Sequence, residues 1–220
     1  MLVNNELKVG YARVQKKARK VIVEDPYTRE EFVLVSDIPI KVEPTLPVHV
    51  PVRLAECIYL ELQSPIIVSS TTSFWITLPY ELRVVAGERT LRVLSPFKVK
   101  HTTVGTPYEG TICRWFSSTV VPKPNVWAEA EALGKVIVET TSTEVVKGVY
   151  ARLNTLKLYV KREEEKMLVY YGTMRGSIRD NVVYISSVEE ESPISGLKEV
   201  HELIERNSTR YFRMEFMEGP

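Results

Sequence analysis

Apolar and polar residues alternate along this chain in short bursts with a period close to two. Leu7-Lys8-Val9-Gly10-Tyr11 opens the pattern. Lys20-Val21-Ile22-Val23 and Phe32-Val33-Leu34-Val35 follow, on either side of Asp25-Pro26-Tyr27-Thr28. Side chains of an extended chain point alternately to opposite faces, so bursts of this kind predict half-buried strands. Asp first and Pro second in a four-residue turn predict that the middle pair forms a hairpin.

The stretch from Ile40 to Val52 also alternates, but Pro39, Pro44, Pro47 and Pro51 interrupt it. Proline has no N–H for a ladder, so this segment is expected as an edge strand or a surface crossing, not a central strand. Ile58 to Leu62 and Ile66 to Val68 read as two runs split by Ser64-Pro65. Phe74 to Leu78, Leu82 to Val85 and Thr90 to Leu94 follow quickly, with Gly87-Glu88 as a tight connection between the last two. Beyond Pro122-Lys123-Pro124-Asn125, the residues Trp127 to Gly134 suit a helix by composition and a strand by alternation. The run Val136-Ile137-Val138 tips the expectation to strand. Val145 to Leu153, Leu156 to Val160 and Met167 to Tyr171 predict three more strands, with the charges of 161–166 at a hairpin tip. A turn at Asn181 leads into Val182-Val183-Tyr184-Ile185.

One segment has the helical period. Ser195 suits an N-cap, and Leu197, Val200, Leu203 and Ile204 mark one face. The fold expected is therefore mainly β: an antiparallel β-sandwich or two packed β-sheets, with one short C-terminal helix over about 196–206. A single unit over 1–220 is expected. The alternative is a β-sandwich over 1–121 and a second β subdomain over 122–220.

Composition narrows the function classes. The 220 residues carry 29 basic and 28 acidic side chains, a net charge of +1. No global field draws nucleic acid or an anionic membrane, so neither nucleic-acid binding nor membrane insertion is expected. The one basic cluster, Gln15 to Lys20, has no aromatic residue interleaved in it. Asp occurs only at 25, 37 and 180 and Gln only at 15 and 63, so the charge is carried by Glu, Lys and Arg, which suggests a thermophile. The first residues lack a basic stretch followed by an apolar one, and a cytoplasmic protein is expected. Cys57 and Cys113 are too few for a secreted disulfide framework. They read as small buried apolar residues, with a single disulfide as the alternative.

Candidate chemistry concentrates in residues 98–115, KVKHTTVGTPYEGTICRW. Gly105 to Thr111 echoes a phosphate-binding loop, but no Lys stands between Gly110 and Thr111 and Pro107 removes a backbone donor. Cys113 beside Arg114 invites a thiolate, yet neighbours on a strand diverge to opposite faces. His49, His101 and His201 have no ligand spacing and no CxxC is present, so neither metal nor cofactor is expected.

Lys100, Gly105-Thr106-Pro107 and Gly110-Thr111-Ile112-Cys113-Arg114-Trp115 together resemble the central block of an uncharacterised archaeal family, known as domain of unknown function 432. Leu78-Pro79-Tyr80-Glu81 and Val145 to Tyr150 are compatible with it. The resemblance extends over most of the chain. It implies an archaeal source and a mostly β fold, and it carries no activity, cofactor or catalytic residue.

The function expected is non-enzymatic binding of a protein partner or small ligand through the 101–114 loop and strand. Tyr108 would be the aromatic anchor, with His101, Glu109 and Arg114 as polar groups around it. One alternative is a hydrolase or transferase using His101 and a Glu brought near it by folding. The other is a homo-oligomer that pairs through the Pro-rich edge.

Overall fold

The computed structural model describes residues 5–17, 20–25, 29–35, 38–47, 55–105, 110–122, 131–163, 166–189, 194 and 196–200. Among them the chain is almost entirely strand. β1 (Asn5–Val9), β2 (Ala12–Lys17), β3 (Lys20–Asp25) and β4 (Glu30–Val35) form an antiparallel meander in sequence order. β5 (Ile40–Thr45) comes next, then the long strands β6 (Cys57–Val68) and β7 (Thr71–Pro79), followed by β8 (Glu81–Ala86) and β9 (Arg89–Leu94). β5, β8 and β9 make a three-stranded sheet in the order β5-β8-β9. β5 is therefore an edge strand, as suits Pro44 within it. At the β8–β9 turn Gly87 takes a φ of 62°, a left-handed conformation that glycine adopts without a side-chain clash.

The rest of the chain builds one large mixed sheet. Its strands are β6, β7, β10 (Lys100–Val104), β11 (Thr111–Ser118), β12 (Val120–Val121), β13 (Glu131–Glu139), β14 (Glu144–Arg152), β15 (Tyr159–Glu163), β16 (Lys166–Arg179), β17 (Val182–Glu189) and β18 (Lys198–Glu199). The order runs β10-β11-β6-β14-β17-β16-β13-β7-β12, and β15 joins β16 and β18. β11 passes through Thr119 directly into β12, which pairs with β7 at the far side. Thr77 N–H donates to Thr119 O at 3.0 Å and Ser118 Oγ donates to Thr77 O at 2.8 Å. The continuous β11–β12 segment thus closes the sheet on β7, as in a barrel, and β10 lies outside the closure as an edge strand. The strands after Pro122, β14-β17-β16-β13, form one block within the sheet, flanked on both sides by strands from before Pro122.

The fold is mainly β, with packed sheets, as the alternation predicts. Three particulars differ from expectation. The large sheet is mixed, because β6–β11, β13–β16 and β14–β17 are parallel pairs. Residues 57–68 form one strand across Ser64-Pro65, because the β14 partner shifts register there. Val146 faces Ile66 and Gly148 faces Glu61, so the four residues Leu62–Pro65 bulge against Lys147 alone. Finally, Lys198–Glu199 of the expected helix pair as a strand with Tyr159–Val160, after Gly196 at φ 80°. Backbone pairing at β15 overrides the weak helical period there; residues 201–206 of the expected helix lie outside the described residues.

The inner face of the curled sheet holds the main core, including Ile58, Leu60, Ile76, Leu78, Val136, Val149, Val183 and Ile185. The other two sheets dock onto it through a buried polar junction. Tyr11 O–H donates to Leu94 O at 2.7 Å and accepts from Leu82 N–H at 3.1 Å, which ties the first meander to both β8 and β9. Within the large sheet, Tyr171 O–H donates to Pro79 O at 2.6 Å. Arg162 reaches Val42 O at 2.9 Å, joining β15 to β5. Arg92 lies over the Phe32 ring, 3.5 Å from its centroid.

Candidate functional site

The residues that sequence reasoning singled out do not stay together. His101 on β10 and Arg114 on β11 are register partners, so both leave the sheet on the same face. Their surroundings differ completely. His101 is exposed on the outermost strand. Arg114 is fully buried, donating to Pro47 O at 2.8 Å and pairing with Glu81 Oε1 at 3.4 Å. Burial pulls the Arg114 pKa down and the Glu81 carboxylate opposes that pull. A guanidinium sealed in this way ties sheets together and is not offered to a ligand. Tyr108 and Glu109 lie outside the described residues, as does His49.

Cys113 projects to the opposite face from Arg114, as strand geometry requires. There it meets Cys57, its register partner on β6, and the two form a disulfide with a Cα–Cα distance of 4.6 Å. This replaces the reading of two separate buried cysteines. Both sit in a small cluster on the outer face of the sheet with Tyr150, Tyr59, Val104, Val182 and Tyr184.

That cluster is part of a larger arrangement. Lys100 stands opposite Trp115, Trp115 opposite Tyr59, Tyr59 opposite Tyr150 and Tyr150 opposite Tyr184. Five consecutive strands therefore contribute one row on one face. With strands about 4.8 Å apart, the four rings span about 14 Å. Tyr150 is 8% exposed and forms the buried centre, while Trp115, Tyr59 and Tyr184 are half-buried with an open side. The Tyr150 and Tyr184 centroids are 5.0 Å apart.

Neighbours fix each ring. Trp115 Nε1–H donates to Glu61 Oε2 at 2.8 Å, and Lys100 Nζ lies 4.7 Å from the indole centroid. Arg179 Cζ lies 5.8 Å from the Tyr184 centroid. Tyr59 leans over Gly148, where an added Cβ would meet its hydroxyl at 2.6 Å, so only glycine leaves room for that pose. Burial, then the Glu61 carboxylate and Tyr184, push the Tyr59 phenol up from its ordinary pKa. Arg152, the register partner of Cys57, adds an exposed cation beside the row. These groups can stack on flat rings and attract anions.

A second aromatic cluster sits elsewhere on the outside of the sheet. Tyr159 and Tyr170 pack there with Trp75, and the Trp75 and Tyr170 centroids are 5.9 Å apart. Ile194 and Leu197 pack against it, so the chain covers this cluster itself. The row at Trp115 is the more open of the two. Sequence reasoning missed it because its members are scattered from residue 59 to residue 184. The one local signal was Trp115, at the end of the segment already singled out.

Among the described residues, no group of three His, Cys, Asp or Glu side chains is placed to hold a metal ion. Among them, too, no helix is long and apolar enough to cross a membrane. A family model described as "Protein of unknown function (DUF432)" matches residues 3–218. No curated protein and no solved structure matches the chain.

Proposed function

We propose that this chain, which belongs to the DUF432 family, is a binding protein that seats its ligand on the outer face of β10, β11, β6, β14 and β17. The observation that carries the proposal is the in-register row Lys100–Trp115–Tyr59–Tyr150–Tyr184. Half-open rings held by neighbours form a rigid stacking platform that loses little entropy on binding. An acid–base role for His101 has less support, since an exposed edge strand gives it no enclosing wall. The Glu/Lys-rich, Gln-poor composition and the buried disulfide fit an intracellular protein of a hyperthermophilic archaeon.

A chain carrying Trp75→Phe and Trp127→Phe leaves Trp115 as its single indole reporter. Titrating it with mononucleotides, oligonucleotides and neutral oligosaccharides is expected to change Trp115 emission for one class, and Tyr184→Ala is expected to abolish that change. A ligand that binds tightly with Trp115 silent and Tyr184→Ala without effect would place the site elsewhere.

A further inference from the structure

Resting on the reading of this face as the binding surface, we infer that its ligand is a single-stranded nucleic acid, with bases on the ring row and phosphates on Lys100, Arg152 and Arg179. The rings and cations that such a surface needs lie far apart along the chain and come together across the sheet, with the cations flanking the rings. Lys100 stands at one end of the row, beyond Trp115. Arg179 stands beside Tyr184 near the other end. Arg152 lies one row over, two residues along β14 from Tyr150. All three are exposed.

The chemistry separates this ligand from its competitors. A neutral sugar uses the rings but has no use for three cations. A polyanion without bases uses the cations but not the rings. A nucleic-acid strand uses both, because every base has a π-face and every nucleotide brings a phosphate. The nearby Glu61 carboxylate accepts from the Trp115 indole, so it serves to hold the ring. A row of about 14 Å accommodates about two or three stacked bases, the number commonly held on a sheet face. Rings exposed on the outer face of a sheet also suit a single strand better than a duplex, whose bases are already stacked on each other.

The test is fluorescence anisotropy of the full chain with labelled oligouridylate and oligodeoxythymidylate, each of about fifteen nucleotides. Polyphosphate and a neutral glucan oligosaccharide serve as competitors. Binding is expected for at least one oligonucleotide, and comparing the two tells RNA from DNA. Tyr184→Ala and Tyr59→Ala are expected to weaken it about five- to hundredfold. Tyr184→Phe is expected to keep it, since the phenyl ring still stacks. Each of Lys100→Gln, Arg152→Gln and Arg179→Gln is expected to lower the slope of log affinity against log salt by about 0.7. Circular dichroism and thermal melting confirm that each variant folds.

Three results would overturn the inference. If only the glucan binds, in a Tyr184-dependent way, the ligand class is wrong and the binding face stands. If polyphosphate displaces the oligonucleotide at equal phosphate concentration and Tyr184→Ala binds normally, the interaction is charge alone and the binding face falls as well. If sedimentation shows a dimer that Tyr184→Ala dissociates, the occupant of the face is a second copy of the chain.

Discussion

Arg114 Nη1 lies 3.4 Å from Glu81 Oε1, and neither side chain is open to solvent. Arg114 comes from the large sheet and Glu81 from the start of β8, so the pair crosses between two sheets. Removing one partner takes this ion pair from a charge that stays buried. Glu81→Gln is expected to destabilise the protein by about 3–5 kcal/mol. The double variant Arg114→Met with Glu81→Leu is expected to recover most of that loss. Denaturant unfolding of both variants checks this. A double variant no more stable than the single one would show that the buried charge is not the source of the loss.

Tyr11→Phe removes the hydroxyl that donates to Leu94 O and accepts from Leu82 N–H. Two buried backbone groups then lose a partner, at a cost of about 1–3 kcal/mol. Amide hydrogen exchange at Leu82 is expected to accelerate, and equal exchange in both proteins would refute the clamp.

The disulfide closes a loop between residues separated by 56 positions. Restricting the unfolded chain over that length is worth about 4 kcal/mol on a chain-entropy argument. Unfolding with and without a strong reductant is expected to differ by that order. Cys57→Ala with Cys113→Ala should match the reduced protein.

Legibility in the sequence followed from whether a signal was local. The strands and the edge position of β5 could be read, because alternation and proline act on the residues that carry them. The bulge in β6 could not, since Ser64-Pro65 looks like a break until Val146 and Gly148 are known to absorb it. The start of the expected helix failed for a related reason: β15 offers Lys198–Glu199 a ladder that no short-range pattern reveals. In the candidate site, the segment around Trp115 was found by its own composition. Arg114, expected as a polar group beside the ligand, is buried, and its partner Glu81 on a different strand gives no local sign of that. The ring row depends on registers between four strands, and only Trp115 on β11 gave a local sign of it.

Alkaline stability should follow the buried phenols. Tyr170 is pushed up from 10.0 to about 12, first by burial. Tyr11 is raised too, by burial and then by Tyr80, Asp25 and Glu81. Both are neutral in the fold where the unfolded chain ionises, so their contribution is complete below pH 10 and is lost as pH rises toward 12. Stability is expected to fall by about 1.4 kcal/mol per pH unit for each tyrosine in that window. Tyrosinate absorbance during base titration should show these phenols ionising only as the fold is lost. Early ionisation without unfolding would contradict the assignment.

Gly148→Ala places a methyl group 2.6 Å from the Tyr59 hydroxyl and 3.0 Å from Leu60 O. It is expected to destabilise the protein by about 1–3 kcal/mol and to displace the ring. Because the hydroxyl is the nearer obstacle, Tyr59→Ala in the same chain is expected to restore part of the stability. Additive losses would show that the two residues do not contact one another.

The passage of β11 through Thr119 into β12 has a consequence for synthesis. The wall of the curled sheet draws on strands from residue 57 to residue 189, and neighbours in space come from distant parts of the chain. At about 5–20 residues per second, a ribosome delivers β13 a few to about ten seconds after β7, its lateral neighbour. Until β17 emerges, the inner faces of β6 and β14 have no complete enclosure to fill. Nascent chains stopped at the β12–β13 connection should therefore bind chaperones and resist compaction, and release should come late and all at once.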